Sequence, residues 1–466
     1  MKGKLFLLIF IMVILLLKGC TLIPKYEKPA APVPVEWPKG AAYQEAIGPT
    51  PPEIKWPDFI TDEKLKKIIE QALRNNRDLR LAALQVQKVR ALYGIQRAEL
   101  YPTVSAAGTG SVQRVPADLS PKGKEMTAEQ YSINLGISSW EIDFFGRIQS
   151  LKESALEEYL ASEQGRRSAQ ISLIAAIASV YLTLAADQEN LELAQSTLQT
   201  QEAAYNLIRR RYEVGVASEL ELRQAQTQVD TAKREIAHYT QLIAQDKNAL
   251  QLLLGGPVPQ ELLPEGLGRI SPFREISPGL SSEVLLQRPD IQAAEHRLKA
   301  AQAYIGAARA AFFPRIALTA GVGTASAELS GLFKSGSGTW NFMPQIVMPI
   351  FDARTWSAYE ASKVEREIAL TQYEKAIQTA FREVADALAV HGTVADQLKA
   401  QESLVKALAE THRLAEVRYL HGLDSYLAVL DAQRALFAAR QGLVSMRLAK
   451  IANQVKLYAV LGGGGE

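Results

Sequence analysis

The chain has 466 residues, 47% hydrophobic and 22% charged, with a formal net charge of +2, five histidines and one cysteine. One cysteine excludes an intramolecular disulfide framework, and near-neutral charge gives no electrostatic footprint for nucleic acid. A mean hydropathy of −0.05 is too polar for a bundle of membrane-spanning helices, and sparse aromatics favour long helices with thin, small-residue seams over one thick core.

Lys2 and Lys4 precede an uncharged apolar run from Leu5 to Leu17. A basic start and about 13 apolar residues predict a signal peptide over 1–19 and are too short for a spanning helix. The end of the run, Leu17-Lys18-Gly19-Cys20, resembles the lipobox of bacterial lipoproteins. In that family the peptide is cut before the cysteine, whose thiol carries diacylglycerol and whose amine is acylated. The resemblance implies a covalent lipid on Cys20, although Lys18 stands where the family has a small residue. Thr21, where an aspartate would imply inner-membrane retention, points the resemblance to the outer membrane. An ordinary signal peptide with an incidental cysteine is the plain alternative. Prolines at Pro24, Pro29, Pro32, Pro34, Pro38, Pro49, Pro51, Pro52 and Pro57 predict an extended tether over 20–57.

The remainder is one unit written twice. Arg77-Asp78-Leu79 matches Pro289-Asp290-Ile291 and Tyr101-Pro102 matches Phe313-Pro314, both 212 residues apart. Arg211-Tyr212-x-x-Gly215-x-x-Ser218 matches Arg418-Tyr419-x-x-Gly422-x-x-Ser425, and Leu254-Gly255-Gly256 matches Leu461-Gly462-Gly463, both 207 apart. The copies span 58–253 and 285–461, with a connector over 254–284 and a Gly-rich tail over 462–466.

Each copy reads helix, two strands, helix, helix. The first helix runs from about Asp78 to Leu100 and stops before Pro102. Strands follow at about 102–142 and again at about 314–348. Ile133, Leu135 and Ile137 alternate with Ser132, Asn134, Gly136 and Ser138, and Trp340, Phe342, Pro344 and Ile346 alternate with Asn341, Met343, Gln345 and Val347. Strict alternation with aromatics at the ends is the pattern of a membrane β-strand, though a soluble amphipathic hairpin shares it.

From about Ile148 to Tyr212, and again from Trp356 to Tyr419, no proline or glycine pair interrupts the helical pattern. About 65 residues make a rod near 100 Å. The returning helices carry heptad seams, Leu222, Ala225, Val229, Ala232, Ile236, Tyr239 and Ile243 in one copy and Val429, Ala432, Leu436, Ala439, Leu443 and Met446 in the other. These spacings predict coiled-coil hairpins that turn at Gly215 and Gly422. Ser168 to Ala186 is free of charge and long enough to span a membrane, but its repeat partner contains Arg382, Glu383 and Asp386, so a buried helix face is expected.

Four membrane strands cannot close a barrel, and an open sheet edge in lipid leaves amides without partners. Chains must pool strands, and a small polar inward set suits a wet pore of at least about twelve strands. The duplicated units, the Trp140-Glu-Ile-Asp-Phe-Phe-Gly-Arg147 segment and the twin Arg-Tyr-x-x-Gly-x-x-Ser turns resemble the TolC-like outer-membrane factors. The lipid anchor and the Leu430-Asp-Ala-Gln433 run resemble its lipoprotein branch, the exit ducts of tripartite drug-efflux pumps. The resemblance implies a mainly α fold with β, in which coiled-coil hairpins form an α-barrel. It also implies a homotrimer whose four strands per chain build a twelve-stranded transmembrane β-barrel. It implies an outer-membrane, periplasm-spanning location, and as partners a periplasmic adaptor, an inner-membrane RND-type pump and outer-membrane lipid.

No catalytic or metal-ligating constellation is present: His238, His296, His391, His412 and His421 are scattered without a zinc-pair spacing. Asp431 lies on an otherwise apolar helix face, one turn after Leu427, and its repeat equivalent is Gln224. The resemblance implies that Leu427 is the hydrophobic constriction of a periplasmic gate and Asp431 a cation-attracting ring. A solvated aspartate pairing with Arg434 is the alternative. Arg211, Gly215, Arg418 and Gly422 mark the tips, where helix termination and, by resemblance, adaptor docking both apply. Nothing in the sequence binds nucleotide, so transport through the duct is expected to be passive and gated, for drugs or other small toxic compounds. A type I protein-secretion duct and a non-transporting periplasmic coiled-coil scaffold remain as alternatives.

Overall fold

The computed structural model describes residues 21–43, 54–121, 123–277 and 281–463. The signal peptide, the Cys20 lipid site and residues 464–466 of the tail lie outside the described residues. Copy one contains α1 (Trp56–Phe59), α2 (Glu63–Asn75), α3 (Arg77–Ala98), β1 (Val104–Val115), β2 (Met126–Glu141), α4 (Arg147–Glu213) and α5 (Glu219–Leu254). Copy two contains α6 (Pro289–Ala310), β3 (Arg315–Ser326), β4 (Gly338–Val347), α7 (Ala353–Leu420) and α8 (Tyr426–Val460). The described residues fall into two units, those within Met1–Pro29, Gln85–Ser162 and Ala294–Tyr373 forming one, and those within Ala30–Leu84, Glu163–Ala293 and Glu374–Glu466 the other.

The first unit is organised by a four-stranded antiparallel sheet of order β1-β2-β3-β4. Its register gathers the apolar alternation onto one face: Gly110 opposes Tyr131, Ala106 opposes Leu135, Leu135 opposes Val322, and Val322 opposes Trp340. The other face holds Ser105, Thr109, Ser132, Asn134, Gly321 and Asn341, where the Thr109 and Ser132 hydroxyls lie 2.7 Å apart and Asn134 donates to Ser132 at 3.2 Å. One sequence expectation changes. The register shifts between Ile137 and Trp140, with Ser139 at φ +52° and its N–H donating to Thr319. One extra residue in β2 ends the inward run before Ser138 and turns Trp140 onto the apolar face opposite Leu318.

The proline-rich start is extended, but it is not a free tether. A chain of prolines leaves its carbonyls without ladder partners, and α6 supplies them. Gln302 donates to the carbonyls of Pro24 (3.0 Å) and Lys25 (2.8 Å), and Arg309 to that of Leu22 (3.4 Å). Tyr26 donates to Glu295, which also pairs with Lys28 at 3.2 Å. The strap crosses α6 at Gly306, where a Cβ would lie 2.7 Å from Ile23. Within the second unit Trp37 stacks on Phe381 at 5.3 Å, and Ser282 donates its N–H to Val35 and its hydroxyl to Pro34.

The second unit is built on two helical hairpins, α4 with α5 and α7 with α8. Both predicted seams are buried at their small positions: Ala225, Val229 and Ala232 in one, Val429, Ala432, Leu436 and Ala439 in the other. In the charge-free stretch of α4, Ile177, Ala178, Tyr181, Leu182, Leu184 and Ala185 are all buried, as the sequence predicts for a core helix. A further helix, α2, precedes the expected first one. Asp62 caps it by accepting from Leu65, and its Leu65, Ile68, Ile69 and Ala72 are fully buried. It parts from α3 at Asn76, whose Oδ1 accepts from Leu79 and whose amide donates to Leu253.

Candidate functional site at the hairpin tips

Both outgoing helices stop by the same device. Gly215 takes φ +76°, its N–H reaching the Tyr212 carbonyl at 2.9 Å and that of Val216 the Arg211 carbonyl at 2.8 Å. Gly422 takes φ +72°, with Gly422 to Tyr419 at 3.0 Å and Leu423 to Arg418 at 2.9 Å. This paired pattern satisfies the last carbonyls of a helix and needs a left-handed residue, which glycine adopts at least cost.

The restarts differ. Ser218 and Glu221 cap α5 reciprocally, whereas Ser425 has Ala428 at that place and makes no side-chain cap. The residue before the serine also differs, Ala217 in one copy and Asp424 in the other. Arg418 is engaged by Asp424 through two hydrogen bonds, at 2.6 and 3.1 Å, and holds that carboxyl below the usual aspartate range. Arg211 has no such acid beside it. It reaches the other hairpin, donating to the Tyr419 hydroxyl at 3.2 Å with its guanidinium carbon 5.2 Å from the centre of that ring.

Tyr419 packs on Tyr426 at 5.3 Å, beside a buried cluster of Ile208, Ala225, Tyr426, Val429 and Leu430. Burial pushes the Tyr426 phenol up to about 12, so it stays neutral. The tips are thus tied to each other by an apolar plug and one cationic clasp. The sequence reading assigned Arg211 to helix termination and docking and missed this clasp. The available signal was the missing acid at Ala217.

Leu427 and Asp431 lie in the first turns of α8, one turn apart. The Leu427 residue is 49% exposed and the Asp431 side chain 65% exposed. Arg434 approaches Asp431 to 3.8 Å, a loose surface pair, and also donates to Gln228 on α5 at 3.4 Å. The chain therefore brings Arg211 to copy two's Tyr419 but leaves Leu427 and Asp431 on an open face. Among the described residues no group of three or more His, Cys, Asp and Glu side chains is placed to hold a metal ion.

The family described as "Outer membrane efflux protein" matches residues 68–256 and 280–463, one stretch for each copy. The chain is 50% identical over 452 residues to the toluene efflux pump outer membrane protein TtgC of Pseudomonas putida, covering 96% of this chain and 93% of that one. It matches the antibiotic efflux pump outer membrane protein ArpC of Pseudomonas putida to the same extent. Among solved structures it resembles the open state of the MtrE outer membrane channel of Neisseria gonorrhoeae, with a TM-score of 0.86, 38% identity and coverage of 96% of this chain and 98% of that one. The chain belongs to the outer membrane efflux protein family, the TolC-like channels of the Gram-negative outer membrane, and is an outer-membrane efflux channel.

Proposed function

We propose that the chain forms, as a homotrimer, the passive gated exit duct of a tripartite system that expels drugs and other small toxic compounds. The observation that carries the oligomer is the sheet: one apolar face, one small polar face, and outer edges of β1 and β4 without strand partners among the described residues. Lipid cannot satisfy those edges, and three chains pool twelve strands around a lumen wide enough for water. The named substrates of the relatives, toluene and antibiotics, support small organic cargo. A lipid on Cys20 would add an anchor, and a periplasmic adaptor with an inner-membrane RND-type pump would supply the energy.

In this reading Leu427 and Asp431 face the axis, because both stand on an open face of α8, Leu427 about half exposed and Asp431 held only by its loose pair with Arg434. Three leucines form an apolar constriction and three aspartates a ring that attracts cations. The Arg211 to Tyr419 clasp holds the two hairpins of each chain in register below them, and Gly215, Gly422 and Arg418 shape the tips for the adaptor. The test is single-channel recording with an efflux assay on Leu427→Ala combined with Asp431→Ala. Several-fold higher conductance with weaker cation preference is expected. Unchanged conductance and unchanged efflux would overturn the gate.

A further inference from the structure

The repeat leaves one copy's strand-to-helix junction partly covered, with Phe313 40% exposed, and the other's bare. In copy one the turn from β2 into α4 lays Phe145 on Phe313, with ring centroids 4.8 Å apart and planes 21° from parallel. Beside them Ile142 donates to the Ile316 carbonyl at 2.8 Å. Both partners lie in one chain because β2 pairs with β3. In copy two the matching turn, from β4 into α7, carries Ile350 and Phe351, which are 90% and 89% exposed. The matching corner, from α3 into β1, carries Tyr101 at 64% exposed and Pro102, also exposed. These two bare surfaces adjoin the two strands that stand at the edges of the sheet.

We infer that the Ile350–Phe351 turn is a knob that docks on the Tyr101–Pro102 corner of a second copy of this chain, turn against corner, as the β2-to-α4 turn lays Phe145 on Phe313 within one chain. The contact presupposes the oligomer proposed above and adds the side chains that lock it at the foot of the sheet. The same logic sets the strand register. Tyr101 and Phe313 are 212 residues apart and the twin tip motifs 207 apart. Carried through those offsets, the Leu135–Val322 pair places Phe342 opposite Gly110 of the partner subunit, and Ile133–Thr324 places Trp340 opposite Val112 of the partner subunit. In both cases the apolar face continues across the joint. A slip of one residue would turn every side chain of the added strand to the wrong face.

The test is thiol cross-linking in outer membranes carrying the full chain with Tyr101→Cys and Phe351→Cys, using a short bifunctional reagent and non-reducing gels. Covalent dimers and trimers are expected from the double variant and not from either single variant, each of which also carries Cys20. Where the double variant fails to reach the membrane, Pro102→Cys with Ile350→Cys serves as the second pair. Light scattering of the detergent-solubilised chain reads the oligomer independently. A trimer by scattering with no cross-link from either pair would overturn the docking and leave the oligomer standing, whereas a monomer by scattering would overturn both. Quenching of a fluorophore on Phe351→Cys by brominated lipid, again without cross-links, would identify acyl chains as the occupant and overturn the inference.

Discussion

Gly215 and Gly422 share a backbone conformation and an empty neighbourhood, with no heavy atom within 4 Å of where a Cβ would stand. A side chain there meets torsional strain of about 1 kcal/mol rather than a collision. Gly422→Asp is therefore expected to leave folding and membrane insertion intact while abolishing pump assembly. Co-purification of the adaptor and heat-sensitive gel mobility of the trimer separate the two effects. Loss of the trimer as well would reduce these glycines to helix terminators. The tip glycines were legible because a left-handed turn has a residue signature. The clasp from Arg211 was not, because its partner Tyr419 lies in the other copy and only folding brings the two together.

At the scale of elements, the two hairpins differ in what holds their helices. Asp187 on α4 and Asp246 on α5 lie close enough to act on each other, with His238 close enough to act on Asp187. Burial, then the charge of Asp187, pushes the Asp246 carboxyl up to about 6, and burial raises Asp187 as well. A raised carboxyl binds its proton more tightly folded than unfolded. Its stabilisation is complete below the ordinary value of 3.8 and is lost as pH rises through about 6. The pair is partly exposed, so solvent reduces the effect to about 1 kcal/mol. Asp246→Asn should remove the slope between those values and raise the melting temperature at pH 7. A calorimetric pH profile identical to that of the parent chain would show that the Asp246 carboxyl is not raised. The second hairpin already has Asn453 at the equivalent position, donating to the Ala387 carbonyl at 3.0 Å. Strands, seams and tips were legible from periodicity because each is a local pattern repeated twice. The break at Asn76 carries neither proline nor glycine; its cap to Leu79 is local, but the side-chain amide that holds the break in place donates to Leu253, nearly the whole copy away. The bulge left one trace, Trp140 standing out of step with Ile133, Leu135 and Ile137.

For the whole molecule, the two faces of the sheet make opposite demands. Leu135 lies on the apolar face and is 53% exposed, so lipid is its solvent in the assembled barrel. Leu135→Arg is expected to cost about 2–4 kcal/mol at mid-bilayer and to deplete the trimer from outer membranes, whereas Ser111→Arg on the polar face should insert normally. Normal recovery of Leu135→Arg with depletion of Ser111→Arg would mean the faces are assigned the wrong way round, and equal recovery of both would mean that neither face meets lipid. The strap beside this sheet has a consequence of its own. Arg309 holds the Leu22 carbonyl only six residues before Arg315 opens β3. A lipid on residue 20 would have about two residues of chain, roughly 7 Å, between it and that fixed point. It could enter the leaflet at the foot of the strand and nowhere else, so it would act as a depth stop for the barrel and not as a mooring line.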